Sequence, residues 1–239
     1  MAGVLARLKK RLLLNSSRIH LENYNREFAQ TMKPGERVLD AGAGDAPYRA
    51  YFRHLEYESA DFQKVDKPYA KSTYVCDLSE HIPVENGRFN YVLLNQTMEH
   101  LKEPAKALSE LYRVLVPGGR ILCTVPFFYE EHEQPFDFFR FTRFAHKYIF
   151  SNAGFDVERI EWLEGFLGTC GYMFQVMYLY LPATFPGSRG IAVVATPLLF
   201  MIKTASLFAA AALYRLDLRW KVTDLGFPKN YVIVARKPD

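Results

Sequence analysis

A polar loop at residues 129–142 carries the side chains best suited to proton transfer. It reads Tyr-Glu-Glu-His-Glu-Gln-Pro-Phe-Asp-Phe-Phe-Arg-Phe-Thr and follows an apolar segment. His132 is the candidate general base, because a histidine titrates near neutral pH and Glu133 beside it can fix its tautomer. Asp137 and Arg140 are suited to positioning a polar acceptor. The alternative interpretation is a solvated lid whose charges pair with one another. The spacing matches no known metal-binding signature, so we assign no metal ligand.

Two glycines mark a second candidate site, at the end of a short apolar strand. The segment 38–46 reads as a strand, a glycine turn and the start of a helix. Gly42 and Gly44 let the backbone approach a ligand with no Cβ in the way. Such a turn presents N–H groups at the carboxyl edge of a sheet, where open α/β folds bind ligands. Asp40 and Asp45 would repel a pyrophosphate but suit a cofactor with an ammonium and a sulfonium group, which is S-adenosylmethionine. The structural alternative is a tight turn with no ligand.

Three segments resemble the class I S-adenosylmethionine-dependent methyltransferases, in particular the methyltransferase type 11-like members. The turn at 38–46 is similar to the family's first motif, 97–101 to its segment after strand four, and 111–120 to the run that leads into strand five. The resemblance covers roughly residues 35–163. It implies an α/β fold with a seven-stranded sheet in the order 3-2-1-4-5-7-6, strand 7 antiparallel, and helices on both faces. It also gives His100 a structural place at a helix start.

The resemblance implies which residues hold the cofactor. Asp61 ends the second predicted strand, where an acid accepts hydrogen bonds from the ribose hydroxyls, and Phe62 beside it can stack on adenine. Asp77 matches the family's acid for the adenine amino group, with a turn cap as its structural alternative. Asn95 and Gln96 would lie near the methionine half. The complete predicted cofactor set is Asp40, Gly42, Gly44, Asp61, Phe62, Asp77, Leu78, Asn95 and Gln96.

Three regions are predicted along the chain. Residues 1–32 form N-terminal helices, residues 33–164 and 226–239 form the cofactor-binding domain, and residues 165–225 form an apolar helical insertion between strands six and seven. A loop of this length without structure would be unusual, so the insertion should have a structure and a role of its own. We predict a pair of helices that either cap the acceptor pocket or dip into one membrane leaflet, with Lys203 extending to the interface. A spanning helix is a third option.

Charge and cysteine use exclude several classes of protein. The net charge is +4 over 239 residues and no long Lys/Arg run occurs, so no nucleic-acid partner is predicted. The cysteines have no C-x-x-C spacing and read as buried apolar residues of a reducing compartment: Cys76, Cys123 and Cys170. Residues 4–14 alternate leucines with basic residues, which is typical of a helix on an anionic membrane surface or of one that packs on the domain.

These observations predict a methyltransferase that moves a methyl group from S-adenosylmethionine to an oxygen or nitrogen atom. The apolar insertion indicates a hydrophobic or lipid-linked acceptor, and the loop containing His132 resembles loops found in enzymes of surface-polysaccharide synthesis. The expected location is cytoplasmic, at the inner face of the membrane. The first rival is an NAD(P)-dependent oxidoreductase on a dinucleotide fold, against which Pro47 and Asp40 argue. The second is a non-catalytic membrane adaptor that kept the fold.

Overall fold

The computed structural model describes residues 15–239, so the basic helix predicted at residues 4–14 lies outside the described residues. The strands are β1 (Arg37–Ala41), β2 (Glu56–Asp61), β3 (Tyr74–Val75), β4 (Phe89–Asn95), β5 (Leu115–Pro126), β6 (Asp156–Trp162) and β7 (Asn230–Arg236). The α-helices are α1 (Ser16–Gln30), α2 (Pro104–Val114), α3 (Arg143–Asn152), α4 (Phe166–Tyr180) and α5 (Arg189–Arg219).

The seven strands form one sheet in the order β3-β2-β1-β4-β5-β7-β6, which confirms the predicted topology. Neighbours from β3 to β5 are parallel, and β7 pairs antiparallel with both β5 and β6. The central strands β1 and β4 are apolar and buried because both faces of a parallel sheet are covered. The carboxyl ends of β1, β2 and β4 therefore meet at one edge.

Two elements of the structure are short. The first crossover, expected to be a helix, contains only a 3₁₀ turn at Arg49–Phe52. Positive φ angles at Gly44 (55°) and Ala46 (53°) explain this, because they interrupt the repeat that an α-helix requires. Strand β3 pairs only Tyr74 and Val75 with β2, since it lies at the sheet edge and has one neighbour.

Two apolar layers cover the sheet. On one face Leu108 and Leu111 of α2 and Phe150 of α3 are fully buried. On the other face Phe28 of α1 packs in a cluster that includes Phe52. Helix α3 begins as predicted, because the hydroxyl of Thr142 accepts a hydrogen bond from the Ala145 backbone N–H at 3.2 Å. These layers hold the strand ends, and thus the loops that follow them, in fixed positions.

The described chain divides into two compact units. One contains Leu21–Leu163 and Asn230–Asp239 and includes the whole sheet. The other contains Glu164–Lys229 and residues 15–20. The helical insertion that was predicted between strands six and seven is present as α4 and α5. The roles assigned to the three predicted regions stay predictions.

Inside the second unit, close helix packing depends on small residues. A Cβ on Gly171 would lie 2.9 Å from the ring of Tyr214, so this glycine lets α4 approach α5. Asp217 is fully buried and accepts a hydrogen bond from the Gly165 N–H at 2.9 Å, at the start of α4. Lys203 donates to the Leu181 carbonyl at 2.7 Å, just after α4 ends. The ammonium group therefore has a partner at a helix C-terminus, where a cation is favoured.

Most of α5 presents apolar side chains to solvent. By length and composition it is the one helix of the described chain that could cross a membrane, and 6% of its most apolar 18-residue window is buried. The exposed large residues are Ile191, Val193, Val194, Leu198, Phe200, Met201, Ile202 and Phe208. An exposed apolar face of this extent marks an interaction surface.

Candidate active site

The glycine turn after β1 forms the base of the candidate site. Gly42 has φ of 77° and donates its N–H to the Ala60 carbonyl at 2.8 Å, which ties the turn to β2. A Cβ on Gly42 would lie 2.2 Å from the side chain of Thr97, whereas one on Gly44 would meet nothing within 4 Å. Position 42 therefore requires glycine for two reasons, backbone conformation and the approach of Thr97.

Two acids lie at the carboxyl edge of the sheet. Asp61, at the end of β2, accepts a hydrogen bond from the Gly44 N–H at 2.8 Å on one oxygen and from the Gln63 N–H at 2.9 Å on the other. Each carboxylate oxygen keeps a second lone pair for a ligand. Asp77 accepts from the Ser79 N–H at 2.8 Å, so the turn contact of the structural alternative is present. Asp61 and Asp77 both line the same pocket.

The pocket encloses about 750 Å³, including the part open to solvent. The predicted site residues that line it are Gly42, Asp61, Phe62, Asp77, Leu78, Gln96 and Glu133. Those that the structure places away from its lining are Asp40, Gly44, Asn95, His132, Asp137 and Arg140. Lys67 and Tyr69 also line it, in the irregular segment between β2 and β3 where no motif singled them out.

Gln96 gives the pocket an unused hydrogen-bond donor. Its φ is 49°, and its backbone N–H is fixed by the Thr124 carbonyl at 2.7 Å. The side-chain Nε2 is buried and has no hydrogen-bond acceptor among the described residues. Phe62 contacts Phe136 edge-on, with ring centroids 5.6 Å apart, and both line the pocket. The lining thus combines acids, an unpaired amide and aromatic walls.

Two members of the predicted cofactor set have internal partners instead. Asp40 is buried and accepts a hydrogen bond from the Tyr57 hydroxyl at 2.5 Å. Burial raises the pKa of Asp40 to about 6, although the Tyr57 hydrogen bond opposes the shift. Asn95 exchanges hydrogen bonds with Asn25 of α1 and accepts one from the Thr124 hydroxyl at 3.0 Å. Asp40 therefore links β1 to β2, and Asn95 links β4 to α1 and β5.

Charged side chains of the loop at 129–142 pair both within the loop and with Lys67 outside it. Arg140 holds Asp137 with two hydrogen bonds of 2.6 and 2.8 Å. Burial would raise the pKa of Asp137, but Arg140 and the His132 backbone N–H outweigh it and lower the pKa to about 2. Glu133 forms an ion pair with Lys67 at 2.6 Å. Such pairing is what the lid alternative expects, and the acceptor-positioning role of Asp137 and Arg140 stays a prediction.

Two histidines meet beside the pocket with defined tautomers. Nδ1 of His132 lies 3.3 Å from a carboxylate oxygen of Asp137 and 3.2 Å from the Glu130 carbonyl. Nδ1 of His100 lies 2.5 Å from the Phe136 carbonyl. Because a carbonyl and an ionised carboxylate can only accept, Nδ1 carries the proton in both rings and Nε2 carries the lone pair. The ring centroids are 4.7 Å apart.

Glu99 was given no role in the sequence, yet it completes this cluster. It is fully buried, and neither carboxylate oxygen has a hydrogen-bond partner among the described residues. Burial raises its pKa to about 8. Oε1 lies 3.7 Å from Nε2 of His100, and burial lowers the pKa of that imidazole. The sequence signal that could have identified Glu99 is an acid next to a histidine, a few residues after β4 at the ligand-binding edge of the sheet.

Together, the strand order, the glycine turn and the acid at the end of β2 define a class I methyltransferase fold. A family model described as a methyltransferase domain matches residues 9–163, more than half of the chain. The protein therefore belongs to the methyltransferase-domain family, as the resemblance implied.

Relatives and solved structures agree at this level. The chain is 26% identical over 107 residues to the ubiquinone/menaquinone biosynthesis C-methyltransferase UbiE of Haemophilus ducreyi. The aligned region covers 38% of this chain and 41% of the relative. The chain thus spans about two fifths of that relative's length.

Two solved structures share the fold. The [4+2]-cyclase SpnF has a TM-score of 0.56 at 17% identity, with coverage of 91% of this chain and 81% of SpnF. A phosphoethanolamine N-methyltransferase 2 of Haemonchus contortus, in complex with phosphomonomethylethanolamine and S-adenosylhomocysteine, has a TM-score of 0.51 at 20% identity, with coverage of 91% and 53%. Because one of these is a cyclase, the fold alone does not fix the reaction.

Proposed function

We propose that this protein transfers a methyl group from S-adenosylmethionine to an oxygen or nitrogen atom of a hydrophobic or lipid-linked acceptor. The observation that carries the proposal is the pocket at the carboxyl edge of β1, β2 and β4, which Asp61, Asp77 and Gly42 of the glycine turn line together with apolar side chains. Membership of the methyltransferase-domain family supports the same reaction.

The pocket residues fit this cofactor. The second lone pairs of Asp61 suit the two ribose hydroxyls, and Asp77 suits the adenine amino group. Phe62 and Phe136 offer ring surfaces for adenine. The unpaired Nε2 donor of Gln96 suits the carboxylate of the methionine half. When bound, the cofactor supplies an electrophilic methyl carbon on a positively charged sulfur.

The chain's part in the reaction is alignment and proton removal. Bound S-adenosylmethionine would supply the methyl carbon for the acceptor atom, while the chain would align the acceptor and a base on the chain would take its proton. The lone pair on Nε2 of His132 or His100 suits that base, and Asp137 holds the His132 tautomer. Glu133 is a weaker candidate because both of its oxygens bond to Lys67.

A calorimetric titration tests the cofactor. S-adenosylhomocysteine should bind with one site per chain, whereas NADH, the ligand of the rival oxidoreductase, should not bind. Asp77→Asn replaces one of the two carboxylate oxygens proposed to accept from the adenine amino group and should weaken S-adenosylhomocysteine binding at least tenfold. Asp156→Asn, on β6 away from the pocket lining, is the matched control and should bind normally. Preferential NADH binding would overturn the proposal.

The atom that receives the methyl group has a second candidate. The relative from Haemophilus ducreyi is named a C-methyltransferase, which favours a carbon atom. Incubation of a lipid extract with methyl-labelled cofactor, followed by mass spectrometry and NMR of the labelled product, separates O-, N- and C-methylation. A labelled polar product with no apolar part would refute the proposed acceptor class.

The acceptor proposal includes contact with the cytoplasmic face of a membrane, for which α5 provides the surface. Phe200 and Met201 are 67% and 60% exposed. Trp220 and Arg219 follow at its C-terminal end, a pairing typical of interfacial segments. Sedimentation with vesicles that contain anionic lipid should recover the protein, and Phe200→Glu should reduce recovery. Phe144→Glu, at a 78% exposed position on α3, is the control and should not. Equal recovery of both variants would favour the pocket-cap alternative for the insertion.

A further inference from the structure

We propose that Glu99, His100 and His132 form a binding site for one divalent transition-metal ion, of which Zn²⁺ is the first candidate. Each residue offers one ligand atom, and the three atoms all lie within 4.8 Å of one another. Two imidazoles and one carboxylate are a common ligand set for Zn²⁺ and for other borderline divalent metals. The sequence did not predict this site, because its ligands come from two separate segments.

The buried acid provides the first argument. Glu99 is 0% exposed, and both of its carboxylate oxygens lack a hydrogen-bond partner among the described residues. A buried polar group without a partner is costly, so such a group requires an explanation. Oε1 points toward Nε2 of His100 at 3.7 Å. A cation between these atoms satisfies both the carboxylate and the imidazole lone pair.

The histidine tautomers provide the second argument. His100 donates its Nδ1–H to the Phe136 carbonyl, and His132 directs Nδ1–H at Asp137 and the Glu130 carbonyl. Metal-ligating histidines characteristically donate the other ring N–H to a carboxylate or a carbonyl, which orients the ring and makes the ligand nitrogen more basic. Both rings have this arrangement, and both leave Nε2 for a ligand.

The distances leave a small adjustment. Two ligand atoms at about 2.1 Å from a tetrahedral Zn²⁺ lie about 3.4 Å apart. The separation of 3.7 Å between Glu99 and His100 is close to that value, and the 4.8 Å bound on the set requires shifts of at most about 1.4 Å. His132 is half-buried, so its ring can make such a shift. Glu133 lies 3.9 Å from Nε2 of His100, but both of its oxygens accept hydrogen bonds from Lys67, so water is the expected fourth ligand.

The site borders the cofactor pocket, because His100 and Glu133 line both. A use of the ion in catalysis rests on the proposed function. A divalent ion held there would lower the pKa of an acceptor hydroxyl, whose proton would pass to water before methyl transfer, and the two imidazoles would then serve as ligands and not as the base. Metal binding itself needs no assumption about the reaction.

Calorimetry with Zn²⁺ and visible absorption with Co²⁺, on full-length protein treated with a chelator, test the site. We expect one ion per chain and a Co²⁺ spectrum of four- or five-coordinate form. Glu99→Gln and His132→Ala should each weaken binding at least tenfold. His81→Ala is the matched control, because His81 also lies 3.3 Å from a glutamate, Glu110, yet is exposed, and it should bind normally.

Two outcomes would overturn the inference: no stoichiometric binding to the wild-type protein, or equal weakening in the His81→Ala control. Circular dichroism shows whether each variant folds, and His132→Ala, at a partly exposed loop position, keeps the test valid should Glu99→Gln unfold. S-adenosylhomocysteine binding is measured on the same samples. Retained S-adenosylhomocysteine binding with no metal binding refutes the metal site alone, and the reverse result refutes the proposed function alone.

Discussion

Substitution of Gly42 by alanine should damage the fold and the pocket together. The left-handed φ of 77° costs an alanine about 1–2 kcal/mol. The new Cβ would also lie 2.2 Å from the side chain of Thr97, which must move. That movement disturbs the bonds from the Thr97 hydroxyl to the carbonyls of Gly42 and Asn95, at 3.3 and 3.0 Å. Steric overpacking of this kind costs about 1–3 kcal/mol, so the total loss should be about 2–5 kcal/mol.

Gly44→Ala is the matched control for this substitution. Its φ of 55° imposes a similar backbone cost, but its Cβ would meet nothing within 4 Å. Urea unfolding should therefore show a loss of about 1–2 kcal/mol for Gly44→Ala and a clearly larger loss for Gly42→Ala. Calorimetry should show that only Gly42→Ala, at a pocket-lining position, loses S-adenosylhomocysteine binding. Equal destabilisation of the two variants would refute the role assigned to Thr97.

Three further predictions follow from buried groups. His146 is fully buried, and burial lowers its pKa from 6.5 to about 4. Between these pH values the unfolded chain binds a proton that the folded chain does not, so the free energy of unfolding falls as the pH falls. Urea titrations at pH 7 and pH 4 should show a fall that is about 3 kcal/mol larger in the wild-type protein than in His146→Phe. Asp61→Asn places an NH₂ group against the N–H of Gly44 or Gln63, and calorimetry should show at least tenfold weaker S-adenosylhomocysteine binding, whereas unchanged affinity would contradict the pocket assignment. Asp217→Ala leaves the Gly165 N–H without its acceptor, at a cost of about 1–3 kcal/mol, and should speed proteolysis within residues 164–229; an unchanged cleavage rate would refute this.

The sheet could be predicted from the sequence because its signals are local. A buried apolar run followed by a glycine turn predicts β1, and the resemblance to the methyltransferase family implies the order of the strands. The missing crossover helix depends on backbone angles at Gly44 and Ala46 that no spacing reveals. The insertion's helices were recognisable from apolar length, whereas the contact of Lys203 with the end of α4 depends on tertiary packing.

Part of the candidate site could be predicted because some of its residues lie at the ends of strands. Asp61, Asp77 and Gln96 follow strands directly, so the topology alone brings them to the ligand edge. No role could be predicted for Glu99, because its complete burial without a hydrogen-bond partner among the described residues is a property of the folded chain. Arg140 was expected to face an acceptor, but the hydrogen bonds that it forms with Asp137 are visible only once the loop is folded.

The place of β7 in the sheet constrains how the chain is assembled. Strand β6 has β7 as its sole hydrogen-bonded neighbour in the sheet, and β7 separates it from β5. Residues 163–229, which contain the insertion, lie between β6 and β7 along the chain. At a synthesis rate of roughly 5–20 residues per second, β6 waits several seconds on the ribosome before its partner is made. The apolar helices α4 and α5 thus leave the exit tunnel while β5 and β6 still lack β7 as their hydrogen-bonded neighbour. During this interval the nascent chain is exposed to aggregation and to binding by chaperones.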